Sequence, residues 1–126
     1  MHARRLGDAQ GAIEHARRAL AVLPEDNLES RPFAAFCLAE AYEAAGDREV
    51  ASAVFAEAAT LGRAAGHDYV ALNAMASQAH LQLARGSLRE ADGVLRCALG
   101  YATERGSELL PAVGSVRIAM GELLYE

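Results

Sequence analysis

The chain has 126 residues, of which 52% are hydrophobic and 23% charged, with a formal net charge of −5. That length and balance fit one packed domain and exclude a disordered or fibrous chain. The twelve basic residues are all arginine and adjoin only at Arg4/Arg5 and Arg17/Arg18, so no basic patch faces a phosphate backbone and no direct nucleic-acid contact is expected from this segment.

Abundant alanine and only three prolines favour helix over strand. Six helices are predicted, over about 8–23, 31–45, 47–65, 68–85, 87–105 and 109–125. The first opens at Gly7 with Asp8 as its N-cap and stops at Pro24. The second carries Pro32 in its first turn, where a missing N–H is tolerated, and stops at Gly46. Asp47 caps the third, which ends at Gly66, and Asp68 caps the fourth, which ends at Gly86. Ser87 opens the fifth and forms a capping box with Glu90; Gly106 ends it. Ser107 caps the sixth, with Pro111 in its first turn. Gly62, Gly93, Gly100 and Gly114 fall inside helices, where close packing or a local kink accounts for them. Cys37 and Cys97 sit in apolar helical patterns and are expected to be reduced core residues.

Gly7, Gly46 and Gly86 open three similar segments, GDAQGAIEHARRA, GDREVASAVFAEA and GSLREADGVLRCA, spaced by 39 and 40 residues. A period in that range marks a helical solenoid. At matching places after each anchor stand Ala12, Ala51 and Ala91, then Ala16, Phe55 and Leu95, then Ala19, Ala58 and Ala98. Steps of four and three residues keep each set on one helix face. Its small outer residues admit a neighbouring helix, and its middle place holds a larger knob. Each anchor is therefore expected to be the turn of a helix–turn–helix pair. In repeat terms the helices run B, A, B, A, B, A. The chain starts and stops out of phase with its repeat, as a fragment of a longer array would.

These residues resemble a tetratricopeptide-type repeat. Leu38-Ala39-x-x-Tyr42, before the turn at Gly46, is similar to that family's helix A, as is Met120-Gly121-x-x-Leu124. Ala51, Phe55 and Ala58 are similar to its helix B. So are Ala12, Ala19 and Pro24, with Ala16 in place of the aromatic. The period is longer than the ordinary repeat of about 34 residues, and Gln78 and Gln82 replace the Leu and Tyr of helix A. Longer repeats worded like ARRALAVLPED, LAEAYEAAGD, LARGSLREAD and MGELLYE resemble the sensor arm of MalT-like LuxR-family transcriptional regulators. This resemblance covers the whole chain. It implies an all-α fold, a right-handed superhelix of antiparallel helix pairs. It also implies a non-catalytic arm that binds an inducer or a partner protein, within a regulator whose nucleotide-binding and DNA-binding modules lie elsewhere. The alternative is a free-standing adaptor that binds another protein's tail.

No cofactor, metal site or enzymatic activity is expected. His2, His15, His67 and His80 are dispersed, and neither a nucleophile elbow, a CxxC pair nor a G-x-x-x-x-G-K-[ST] loop occurs. No apolar run approaches the roughly 20 residues of a membrane span. MHARRLGDAQ lacks a signal peptide's apolar core, so a cytoplasmic location is expected.

A binding groove remains. In such repeats the A helices line the concave face. Aligned on their turns, they place Glu40, His80 and Glu122 at equivalent positions, then Phe33, Asn73 and Ser115, then Phe36, Ala76 and Ile118. Asn73, Ser77 and His80 form one polar stripe, and Gln78 and Gln82 a polar pair on the adjoining face. The stripe is either a solvated helix face or a hydrogen-bonding floor for a peptide or small polar ligand, since Asn, Ser and Gln both donate and accept. On the second reading the candidate site is Phe36, Glu40, Asn73, Ser77, His80, Ser115 and Glu122, with His80 able to respond to pH near neutrality. The last helix is apolar at Leu109, Leu110, Val113 and Val116, and no B helix follows it in these 126 residues. Self-association through uncapped terminal helices is expected.

Overall fold

The computed structural model describes residues 2–24, 27, 30–106, 118 and 121, with side chains from residue 9 onward. They contain α1 (His2–Val22), α2 (Ser30–Ala44), α3 (Arg48–Ala65), α4 (Asp68–Ala84) and α5 (Leu88–Arg105). The predicted sixth helix, with Ser107, Pro111 and Gly114, lies outside the described residues except for Ile118 and Gly121, which are helical.

Every twentieth residue from Gly46 to Gly106 is a glycine with left-handed backbone, at φ 85°, 70°, 79° and 68° for Gly46, Gly66, Gly86 and Gly106. Each glycine N–H bonds to the carbonyl three residues back, at 3.0–3.2 Å. After the first three, the next N–H reaches five residues back: Asp47 to Tyr42, His67 to Gly62 and Ser87 to Gln82, at 2.8–3.0 Å. The pair of bonds satisfies carbonyls left over at the helix end, and glycine takes the required φ without a Cβ penalty.

The residue after each of the first three glycines stands at the start of the next helix. Asp47 Oδ1 accepts the Val50 N–H, and His67 Nδ1 accepts the Val70 N–H, both at 3.4 Å. Ser87 occupies the same place without a side-chain cap bond, so the expected capping box does not close there; Glu90 lies 3.8 Å from Arg85 instead.

Two boundaries differ from the sequence expectation. His67, not Asp68, caps α4, because the cap is the residue that directly follows the left-handed glycine. Asp68 is the first helical residue, and its Oδ1 accepts from Tyr101 Oη at 2.8 Å and from Arg105 Nε at 3.0 Å. At the other end of the chain, α1 runs unbroken through Gly7 and Asp8. One interior glycine costs a helix only about 1 kcal/mol, too little to end it alone. The repeat register of α1 moves accordingly. Its buried face is Ala9, Ile13 and Ala16, which stands 42 residues before Ala51, Phe55 and Ala58; Ala12 is exposed.

Consecutive helices pack on one another, and α2 also meets α4 directly. Among the described residues α1 does not approach α3 in this way, nor α3 approach α5. The result is a TPR-like helical solenoid in which α2 and α4 form a tight layer and α1, α3 and α5 a splayed one. Ala51, Phe55 and Ala58 on α3 and Ala91, Leu95 and Ala98 on α5 are all fully buried, at the repeated offsets. Phe55 meets Phe36 edge to face, with ring centroids 5.7 Å apart. A Cβ on Gly62 would stand 2.9 Å from the Ala71 backbone nitrogen, so α3 and α4 touch backbone to backbone there. Gly93 and Gly100 have no such neighbour.

Arginines tie α1 to α2. Arg17 lies over the Tyr42 ring, 5.6 Å from its centroid, and donates to its hydroxyl. Arg31 donates to the Leu20 and Leu23 carbonyls at 3.1 and 3.2 Å, serving the carbonyl end of α1. Both cysteines are free, but neither is a full core residue: Cys37 is half-buried and Cys97 exposed. The buried face of α5 runs through Ala91, Leu95, Ala98 and Ala102, and Cys97 falls beside it. Among the described residues no helix is long and apolar enough to cross a membrane.

Candidate ligand-binding surfaces

The tight layer presents one open face. On α4 it carries Tyr69, Asn73, Ser77 and His80, with Tyr69 and His80 exposed and the other two half-buried. Forty residues earlier, α2 places Phe33, Cys37 and Glu40 at the matching positions, with Phe33 and Glu40 exposed. The helical repeat thus sets Glu40, Asn73, Ser77 and His80 on corresponding faces of two helices that touch. Asn73 Nδ2 donates to its own helix at the Tyr69 carbonyl, 2.8 Å away, leaving Oδ1 open to another donor. Partial burial, and then the neighbouring Glu43 charge, hold the Glu40 carboxyl above its ordinary range. At the N-terminal ends of α2 and α4, Phe33 and His67 line a depression of about 620 Å³.

Phe36 does not join this face. It is 8% exposed and its ring packs against Phe55, so it is a core residue. Ser115 and Glu122 lie outside the described residues.

The splayed layer has a separate groove of about 460 Å³ between α3 and α5, floored by α4. Arg63 comes from α3, Gln78 and Gln82 from α4, and Arg89 and Cys97 from α5. The glutamines that replace the Leu and Tyr of helix A are thus the polar part of the groove floor. Arg63 Nη1 donates to Cys97 Sγ at 3.3 Å and to Met75 Sδ at 3.7 Å. The two arginines and Cys97 lie on helices that the repeat pattern marks only as scaffold. The available signal was their position just off the buried alanine face. Among the described residues no three His, Cys, Asp or Glu side chains are grouped to hold a metal ion.

The splay of the outer helices over a tight inner pair, the repeated glycine turns and the alanine faces are the geometry of a TPR-like helical-repeat region. No curated protein and no solved structure matches the chain. The family model for the MalT-like TPR region matches residues 1–126, the whole of it, and the chain accordingly belongs to that family of helical-repeat regions.

Proposed function

We propose that this region is the sensor arm of a bacterial, cytoplasmic MalT-like LuxR-family transcriptional regulator. It binds a small-molecule inducer or a regulatory protein, does no chemistry on it, and acts within a longer chain. The match to the MalT-like TPR region over residues 1–126 carries this reading. The open face of α2 and α4 is the surface proposed to meet the effector. It offers an amide, a hydroxyl, an imidazole and a carboxylate within one pair of touching helices, so it can both donate and accept.

Gene context tests the proposal most directly. A G-x-x-x-x-G-K-[ST] loop encoded upstream and a helix-turn-helix module downstream are the expected result. A reading frame with neither removes the regulator and leaves a free-standing adaptor for another protein.

A further inference from the structure

We propose that the groove between α3 and α5 is a second binding site, for a small carboxylate-bearing molecule that also presents an N–H, such as an N-acylated amino acid. It lies on the splayed layer and does not depend on the effector reading of the α2/α4 face.

Gln82 is the first observation. Its side chain is 6% exposed, and Oε1 is buried with no hydrogen-bond partner. Folded proteins rarely leave a buried acceptor unpaired. Gln82 lines the groove, so an N–H carried in by a ligand supplies the missing donor.

Charge is the second. Arg63 and Arg89 line the same groove, and among the described residues neither forms an ion pair with a carboxylate. The partners of the Arg63 guanidinium there are two sulfurs, which are weak acceptors. Glu90 also lines the groove, and its carboxylate lies 3.8 Å from Arg85. A guanidinium fork matches a carboxylate in shape and charge. The Ala56, Ala59 and Val94 side of the groove accepts an apolar body, and about 460 Å³ is within the ordinary range of small-molecule sites.

The first repeat shows the same position filled. There Tyr42 stands where Gln82 stands forty residues later, and Arg17 of α1 covers its ring and bonds its hydroxyl. By the register of buried faces, the place of Arg17 on α3 is taken by Ala59. Exchanging a large, satisfied pair for an amide and a methyl group opens the groove.

Calorimetric titration of the intact protein with N-acetyl-L-leucine, against its uncharged amide N-acetyl-L-leucinamide, tests the site. The acid is expected to bind saturably, at least about tenfold more tightly than the amide. Arg63→Gln should weaken the acid by about tenfold, and Gln82→Tyr, which restores the residue of the first repeat, should abolish binding. Bound acid should also slow alkylation of Cys97 by iodoacetamide and leave Cys37 unchanged. Absence of saturation up to about 1 mM, equal binding of acid and amide, unchanged affinity in Arg63→Gln, or an unprotected Cys97 would each overturn the proposal. Arg63 is at the surface of the groove, so its variant keeps the test decisive if Gln82→Tyr fails to fold.

Discussion

The junction of α1, α2 and α3 and the junction of α3, α4 and α5 share one backbone plan but differ in what occupies it. In the first, Arg17 covers the Tyr42 ring, Leu38 is buried, and Phe36 braces Phe55. In the second, Gln78 and Gln82 take the places of Leu38 and Tyr42, Leu95 takes that of Phe55, and a groove lies between the outer helices. Glycine turns and buried alanines recur in both, so they set the spacing of the helices. The few larger residues decide whether a junction is filled or open. A solenoid can therefore keep its scaffold while one repeat acquires a site.

Truncating the central knobs probes this difference most strongly. Phe55→Ala removes a fully buried ring and its aromatic partner contact, and is expected to cost about 3–5 kcal/mol. Leu95→Ala, at the equivalent buried position, should fall at the lower end of about 2–5 kcal/mol, because it removes a smaller side chain with no aromatic partner contact. Urea denaturation of both variants measures the gap. If Leu95→Ala proves the costlier, the second junction is the better packed and the contrast is reversed.

Gly62→Val tests the close approach of α3 to α4 in the second junction. Its side chain must displace the Ala71 backbone, so a loss of about 1–3 kcal/mol is expected. Gly100→Ala, in open space on α5, should instead gain up to about 1 kcal/mol from helix propensity. Opposite shifts in melting temperature support the assigned approach of α3 to α4. Shifts of the same sign would break it.

A smaller effect belongs to the contact that ties α5 back to α4. Burial first, then the hydrogen bond to Asp68 and its charge, push the Tyr101 hydroxyl above its ordinary pKa. The folded state therefore holds this proton more tightly than the unfolded one. The associated stability is present below about pH 10, the unfolded value, and is lost as pH rises from there through the higher folded value. Tyr101→Phe should cost about 1 kcal/mol at neutral pH and flatten the alkaline fall. An unchanged alkaline profile would show that Tyr101 does not couple to stability.

The turns were legible because two independent signals coincide at each: a glycine suited to positive φ, and a following residue able to start a helix. Gly7 carried the same local wording, yet its helix continues through it, since the propensity cost of one interior glycine is too small to end a helix alone. The true face of α1, Ala9, Ile13 and Ala16 with Ile13 at its centre, depends on which residues meet α2, and that is a tertiary fact. Gln78 and Gln82 stood out as departures from the repeat. Their role did not, because a groove also needs the distance between α3 and α5, which no local pattern carries. Phe36 was misplaced for a related reason. Aligning A helices by turn identifies equivalent positions without telling which neighbour each one faces.

The open face of α2 and α4, proposed to meet the effector, should give the smallest change in stability. In Asn73→Ala, the lost bond runs to a carbonyl of the same helix, and alanine is the better helix former, so the two effects oppose each other. His80 is exposed, so His80→Ala leaves no cavity. The double variant is expected to melt within about 0.5 kcal/mol of the parent. If α2 and α4 receive the effector, the same variant should raise the effector concentration needed for half-maximal transcriptional activation in the complete regulator. That separation of response from stability is what a solvated helix face cannot produce. An unchanged activation curve would remove the site from the Asn73–His80 stripe and leave the α3/α5 groove as the binding surface to pursue.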